Sequence, residues 1–385
     1  MTDEPSSSST APGGSRVRFH RPAPASAMRP ADPMVFILPA APPGSDSYDK
    51  RMCQNLPAVG QPVLELPIAG DWPVPDATAR RRLARSLTAL PDRTVVLLDS
   101  MIAAGVPEIV VPHARRLRLA VLVHQALADE PGLDPAHRAE LDACERETLR
   151  MAGMVVATSP WLARLLIDRH DLDPSRVYVA KPGTDSAPLA AGADGVSRLL
   201  CVGDVTRRNG QDVLVEALGE VDHLALSCVC VGSLAVSPGY VDELGWSIER
   251  LGLGGRITLS GDAVDLGAAY NAADLLVIPS RGGASGMFVA QALARGIPVL
   301  ATEVGGVYDA LGVDADGEMP GLLVPPNDPF ALADALHRWY ADPELRRSLR
   351  TAALGRGSAL EEWDVAARRL TQVLSRLASE PRIVA

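Results

Sequence analysis

Three glycine-bearing turns and one histidine are the places where residue type and spacing could do chemistry in this sequence. The segment from Ser280 to Gly286 (SRGGASG) follows an apolar run and opens onto the helical stretch MFVAQALAR, which begins at Met287. A strand, a glycine turn and a helix start bring free backbone N–H groups together with the positive end of a helix. That combination suits an anion such as a phosphate. The same residues also suit a plain turn. A second loop, from Cys201 to Gly210 (CVGDVTRRNG), repeats the arrangement and could place Arg207 or Arg208 over the same cleft; the alternative is a solvated basic turn. A third, from Pro39 to Ser45, has Gly44 for close approach to a ligand and prolines that equally suit a rigid surface turn. His124 ends the apolar run LAVLVH, and the segment from Lys181 to Asp185 (KPGTD) ends another. Both fall where a strand's carboxyl end meets a cleft, and an imidazole there can touch substrate or hold structure.

These loops need a scaffold, and the pattern supplies one. Short apolar runs at 34–38, 63–66, 94–98, 119–124, 154–158 and 177–180 alternate with helical stretches at 47–59, 77–90, 135–152 and 160–168. Residues 186–197 (SAPLAAGADGVS) are small and read as a flexible linker. The alternation then restarts, with strands expected at 199–202, 226–232, 257–259, 275–278, 299–301 and 322–324. Helices are expected at 211–218, 239–251, 265–272, 287–294 and 330–340, and two more near 343–354 and 363–377. Near-continuous apolar strands separated by helices describe a parallel sheet covered on both faces. The fold class is therefore α/β, with two doubly wound Rossmann-like domains facing a central cleft. The expected division is a disordered tail at 1–32, a first domain at 33–185, the linker, and a second domain at 198–358, with a last helix at 360–380.

Composition sets limits on function. The 385 residues are 47% apolar and 22% charged, enough for two cores, and 47 acidic against 37 basic side chains give a net charge of -10. Such a balance disfavours a nucleic-acid binder that relies on bulk positive charge. No apolar stretch approaches the ~18–20 residues of a membrane span. The first 32 residues lack the apolar segment of a secretory signal, so a cytoplasmic protein is expected. The cysteines Cys53, Cys144, Cys201, Cys228 and Cys230 are scattered without metal-ligand spacing and read as buried thiols. A basic amphipathic stretch from Ala79 to Leu87, with Arg115, Arg116 and Arg118, is either a solvated helix face or a peripheral contact with anionic lipid.

Several segments are more specific. Residues 199–203 (LLCVG) with 210–218 (GQDVLVEAL), residues 270–280 (YNAADLLVIPS), residues 292–306 (ALARGIPVLATEVGG) and residues 321–329 (GLLVPPNDP) occur in this order. Together they resemble the GT-B glycosyltransferases, and among them the retaining family 4. The resemblance runs from about Val35 to Leu377. It implies an acceptor in the first domain, a nucleotide-sugar linked to UDP, GDP or ADP in the second, and final helices that cross back to the first. It implies no metal and no cofactor. Donor contacts fall on backbone amides from Ser285 through Gly286 and Met287 to Phe288. His124 positions sugar or acceptor, Pro182, Gly183, Thr184 and Asp185 line the cleft, Ser280 leads into the donor loop, and Gly44 approaches the phosphates.

The chain departs from that family in one pocket. After Gly203, where an arginine is usual, stands Asp204, and where a lysine is usual stands Asn209. Loss of one such cation from a departing diphosphate can cost ~2.7–4 kcal/mol in the transition state. Of the two glutamates usual in the donor loop, the sugar-binding one is Gly283 and the ribose-binding one is Gln291, which keeps a carbonyl but no charge. Arg207 and Arg208 are the candidates to replace the missing cations. Three functions are compatible with this pattern. One is sugar transfer by a modified donor site to a small-molecule or lipid acceptor; another is an inactive scaffold that binds a protein partner; the third is a different reaction in the same cleft.

Overall fold

The computed structural model describes residues 33–40, 47–261, 265–283 and 286–379. The apolar runs form two six-stranded sheets in which every pair is parallel. The first contains β1 (Met34–Pro39), β2 (Val63–Ile68), β3 (Val95–Asp99), β4 (Arg118–Val123), β5 (Met154–Ala157) and β6 (Val177–Val179), in the order β2-β1-β3-β4-β5-β6. Its helices are α1 (Tyr48–Asn55), α2 (Ala77–Ala89), α3 (Ser100–Gly105), α4 (Pro107–Val110), α5 (Pro135–Met151) and α6 (Pro160–His170).

The second sheet contains β7 (Arg198–Val202), β8 (Ser227–Val231), β9 (Ile257–Leu259), β10 (Leu275–Ile278), β11 (Val299–Thr302) and β12 (Gly321–Val324), in the order β12-β11-β10-β7-β8-β9. Around it lie α7 (Gln211–Glu220), α8 (Pro238–Arg250), α9 (Leu266–Asn271), α10 (Gly286–Leu293), α11 (Val307–Leu311) and α12 (Pro329–Ala341). The described chain closes with α13 (Pro343–Ser358) and α14 (Trp363–Ser379).

Both strand orders reverse direction once, between β1 and β3 in the first sheet and between β7 and β10 in the second. Ligands of doubly wound sheets bind beyond the carboxyl ends of strands at such reversals. The loops after β7 and β10 are the two glycine-bearing segments of the second half, so the topology puts both at one reversal.

Helix α14 packs back on the first sheet. Its Trp363, Leu370, Leu374 and Leu377 are buried with Met34, Phe36 and Leu122. Met287 of α10 belongs to that same buried cluster, so an apolar contact joins the two halves.

Three expectations are revised in detail. The helix expected over 47–59 stops at Asn55, and a single 3-10 turn follows from Pro57 to Val59, because proline has no N–H to continue the ladder. Helices α3 and α4 were not anticipated; each is one or two turns long, too short for a periodic signal. The small residues read as a flexible linker are fastened to the second half. Buried Asp274 accepts hydrogen bonds from the backbone N–H groups of Ala193, Gly195 and Arg198 at 2.9–3.1 Å.

The basic stretch forms α2, whose Ala79, Leu83 and Leu87 are buried. Part of its charge is paired internally: Arg80 with Glu108, and Arg116 with the carbonyls of Leu87 and Leu90. Cys201 and Cys230 face each other across β7 and β8, and both are buried with Cys228 as free thiols. Among the described residues no helix is long and apolar enough to cross a membrane.

Candidate functional site

The loop after β7 explains two of the sequence departures. Asn209 donates from Nδ2 to the carbonyl of Asp204 at 2.8 Å, and buried Gln211 donates to the same carbonyl at 3.0 Å. The Asp204 carboxylate accepts from the backbone N–H of Ser233 at 3.2 Å. Asn209 therefore shapes its own loop and packs on Gly203, whose φ is +139°, while Asp204 ties that loop to the one after β8.

Arg207 and Arg208 diverge. Arg207 lies over the Tyr240 ring, 5.4 Å from its centroid, and pairs with Glu243 on α8; it lines neither of the cavities described below. The expectation that it would stand over the cleft is not met by this placement, because α8 offers an aromatic face and a carboxylate on the opposite side of the loop. Arg208 turns toward the donor loop. Its Nη2 donates to the carbonyl of Gly283 at 2.8 Å, and its Nη1 lies 3.6 Å from Glu130 of the first half. Burial pulls its guanidinium below the usual arginine range, against the opposing pull of Glu130 and Asp204.

Gly283 has a left-handed φ of +49°, and a Cβ built on it would lie 2.3 Å from Arg208 Nη2 and 2.8 Å from Gln125 Oε1. The room that a side chain at this position would take is thus occupied by an arginine. Next to it, Arg281 forms a two-pronged pair with Asp212 at 2.7 and 2.8 Å and donates to the carbonyl of Arg207 at 2.7 Å. This brace between donor loop and α7 was absent from the sequence reading, since nothing local links the two positions.

Across the cleft, His124 follows β4. Its Nε2 lies 2.9 Å from Asp49 Oδ1 of α1 and 3.4 Å from Asp99 Oδ2 at the end of β3. Among the described residues, these form the one grouping of three or more carboxylate, imidazole or thiol groups with atoms within 4.8 Å of one another. The 2.9 Å separation is that of a charge-assisted hydrogen bond. Burial by itself lowers the imidazole pKa, but the Asp49 carboxylate outweighs it and Asp99 adds to the effect, raising it to about 10. Burial also raises the Asp49 carboxyl, which His124 partly offsets. The edge of the Tyr48 ring meets His124 with centroids 5.3 Å apart. Neither aspartate was anticipated: each carries its own local role, and only the first sheet's reversal brings them to His124.

A cavity of about 370 Å³ lies between the halves. His124, Gln125 and Lys181 contribute from the first half, and Gly283, Gly286 and Asp309 from the second. A larger, more open cavity of about 750 Å³ shares Trp161 and Gly283 with it and runs along Arg138 and Asp142 of α5. The halves meet beside Trp161, whose backbone N–H donates to Asp309 Oδ2 at 2.6 Å. That bond seats a carboxylate from α11 on the amino end of α6.

The remaining expected positions divide. Pro182 and Thr184 line the smaller cavity, and Thr184 donates its N–H to the carbonyl of Glu361 at 2.9 Å. Gly183 packs against the backbone of Trp363, where a Cβ would come within 2.3 Å of its Cα. Asp185 is exposed and pairs with Arg51. Ser280 is buried, its carbonyl accepting from Thr302 Oγ1 at 2.5 Å. Gly286 lines the cavity at the first turn of α10, whereas Met287 points into the apolar cluster and Phe288 packs in the second half's core. Gln291 is half-buried on α10, and its backbone carbonyl accepts from Arg295. Gly44 and Ser285 lie outside the described residues.

Comparison with known proteins decides what this arrangement belongs to. Residues 196–342 match the family model for glycosyl transferases group 1. The fold is GT-B, and its second half is similar to the glycosyl transferases of group 1. The D-inositol 3-phosphate glycosyltransferase of Streptosporangium roseum is 30% identical over 292 residues, 70% of this chain and 64% of that protein. The namesake from Corynebacterium jeikeium is 27% identical over 281 residues, 67% of this chain and 65% of that protein. The chain thus spans a little under two thirds of the length of these curated relatives.

Solved structures match more of the chain at lower identity. Sucrose-phosphate synthase from Thermosynechococcus elongatus superposes with a TM-score of 0.73 at 21% identity, covering 90% of this chain and 99% of that one. The Anabaena Alr3699/HepE structure in complex with UDP and glucose gives 0.68 at 18%, covering 89% and 99%. The GT-B architecture expected from the resemblance is therefore the one observed, including the return of α14 to the first sheet.

Proposed function

We propose that the protein is an enzyme that transfers a sugar from a nucleoside diphosphate donor to a hydroxyl of a small acceptor, with retention at the anomeric carbon. The observation that carries this reading is a single cavity lined by both the first turn of α10 and His124. Helix-end amides at Gly286 and Met287 are suited to the diphosphate, as expected where strand, turn and helix start meet. Arg208 and His124 supply positive charge, Gln291 is the ribose contact, and Gln125, Pro182 and Thr184 face the reacting end. As the glycosidic bond breaks, charge develops on the departing phosphate, and fixed donors in a water-poor cleft stabilise it more than water does.

The relatives guide the choice of ligands. The Anabaena structure holds UDP and glucose, and the curated relatives are named for transfer to D-inositol 3-phosphate. UDP-linked hexoses are accordingly the first donors to offer, and a phosphorylated polyol is the first acceptor. Calorimetric titration with UDP, GDP and ADP, followed by their hexose conjugates, tests the reading. Micromolar binding of one nucleotide supports it. No binding up to millimolar ligand would sink it.

A second reading is an inactive scaffold that binds a partner protein. Asp204, held to Ser233, Asn209, folded onto its own loop, and the outward Arg207 favour it, since they leave the usual cation positions without positive charge. Tight nucleotide binding without sugar release in the presence of acceptors would select this second reading.

A further inference from the structure

Two carboxylates from different elements meet one nitrogen of His124. Asp49 comes from α1, Asp99 from the end of β3, and both are buried, at 7% and 3% exposure. Asp99 is held in place because its other oxygen accepts from the backbone N–H of Met101 at 2.7 Å, capping α3. Tyr48, whose hydroxyl donates to the carbonyl of Ala180 at 3.0 Å, fixes the plane of the imidazole from its edge. The ring's other nitrogen, Nδ1, has no protein partner among the described residues, and the side chain, 33% exposed, lines the cavity.

We propose that Asp49 and Asp99 are positioning residues that keep His124 as an imidazolium and turn its Nδ1–H into the cavity, so that the ring serves as a fixed hydrogen-bond donor to an anionic ligand group and not as a proton acceptor. A histidine that serves as general base pairs with one carboxylate and stays neutral until it takes the substrate's proton. A second buried carboxylate on the same nitrogen favours the charged ring before any substrate arrives. The charge inventory around the ring agrees. Lys181 and Arg356 share the cavity, Arg369 there is paired with Glu361, and Asp309 is engaged by the amino end of α6, so among the described residues no carboxylate bonds to Nδ1. The imidazolium and the first turn of α10 then face one volume from two sides, a setting for a phosphate oxygen. The use made of this charge rests on the nucleotide-sugar reading above; the proton state of the ring does not.

The test is a pH titration of the full chain labelled with 15N-histidine, followed by long-range 15N–1H correlation, with H124N identifying the His124 signals. In the unaltered protein the ring should remain an imidazolium through about pH 8.5, about two units above the ordinary histidine value. D49N and D99N, which keep the shape of each side chain, should each lower the midpoint by roughly 1–3 units. Chemical unfolding of each variant shows whether it is folded, and D99N serves if D49N is not. Added UDP should shift the Nδ1 signal of the unaltered protein. A midpoint near 6.5 in the unaltered protein, or one that neither substitution moves, would overturn the proposal. Persistence of the imidazolium with no response to UDP would overturn the nucleotide-sugar reading and leave the charge assignment standing.

Discussion

The Arg208 guanidinium fills the space into which a side chain at Gly283 would project, with Nη2 2.3 Å from the Cβ that any other residue would place there. One change on the donor loop is thereby tied to a neighbouring loop. The same arginine holds the carbonyl of Gly283 and faces Glu130 of the first half, so a guanidinium stands beside a position where the resembled family usually carries a carboxylate.

G283A should therefore destabilise the protein by the ~1–2 kcal/mol that a left-handed backbone costs an ordinary residue, with a further loss only as far as Arg208 is pushed off the Gly283 carbonyl. R208A in the same chain should recover part of the loss, because the two effects share one volume. Urea unfolding of both singles and the double variant measures the coupling. Strict additivity would show that the loop moves aside.

Arg207 and Arg208 should behave differently in nucleotide titrations. Arg207 pairs with exposed Glu243, an interaction worth ~0–1 kcal/mol, and R207A should change affinity by less than about threefold. R208A should weaken binding by about tenfold or more, equivalent to ~1.4 kcal/mol. Equal losses in calorimetry would return Arg207 to the site.

The brace between Arg281 and Asp212 predicts a loss on D212N of ~1.5–3 kcal/mol, the value of hydrogen bonds to charged groups. Burial pushes the Asp212 carboxyl up, but its bonds to Arg281 outweigh that and hold it below the usual carboxylate range. A depressed carboxylate stabilises the fold above its unfolded value of ~3.9 and loses that contribution as pH falls through the folded value. The gap between unaltered protein and D212N in urea unfolding should thus be full at pH 6 and shrink below about pH 4.

His124 gives the opposite dependence. Its pKa is raised to about 10, so its stabilising effect is fully present below the unfolded value of ~6.5 and is lost as pH rises toward about 10. Unfolding of H124N against the unaltered protein at pH 6 and pH 9.5 reads the trend. A gap that grows with pH would contradict it.

Asp309 on the amino end of α6 should help hold the halves closed. A carboxylate at such a helix end is worth ~0.3–1 kcal/mol, up to ~2 when partly buried. D309N should enlarge the radius of gyration in small-angle scattering without unfolding either half, and an unchanged radius would assign closure to Met287 and α14 instead.

Much of the fold was legible before any coordinates. The strand and helix alternation needs only local periodicity, and the β7 and β10 loops stand out because glycine follows an apolar run. Within the candidate site, His124 and Gly286 were placed at the cavity by being at strand and helix ends. Met287 is expected at a phosphate through its backbone amide, and its side chain enters the first half's core. Asp49, Asp99, Arg281 and Trp161 were missed, since none carries a local signal that distinguishes it from a cap, a helix face or a surface charge.

The sequence by itself determined two parallel sheets and the loops at their carboxyl ends, because apolar patterning and turn chemistry act over a few residues. Only the tertiary structure decided which way the loop side chains turn. Adjacent arginines part company because Tyr240 and Glu243 stand on one side of their loop and the Gly283 carbonyl on the other. The charge at His124 was equally beyond local reading. It depends on two aspartates carried to one nitrogen by the strand order of the first sheet, and on the burial that keeps water from screening them.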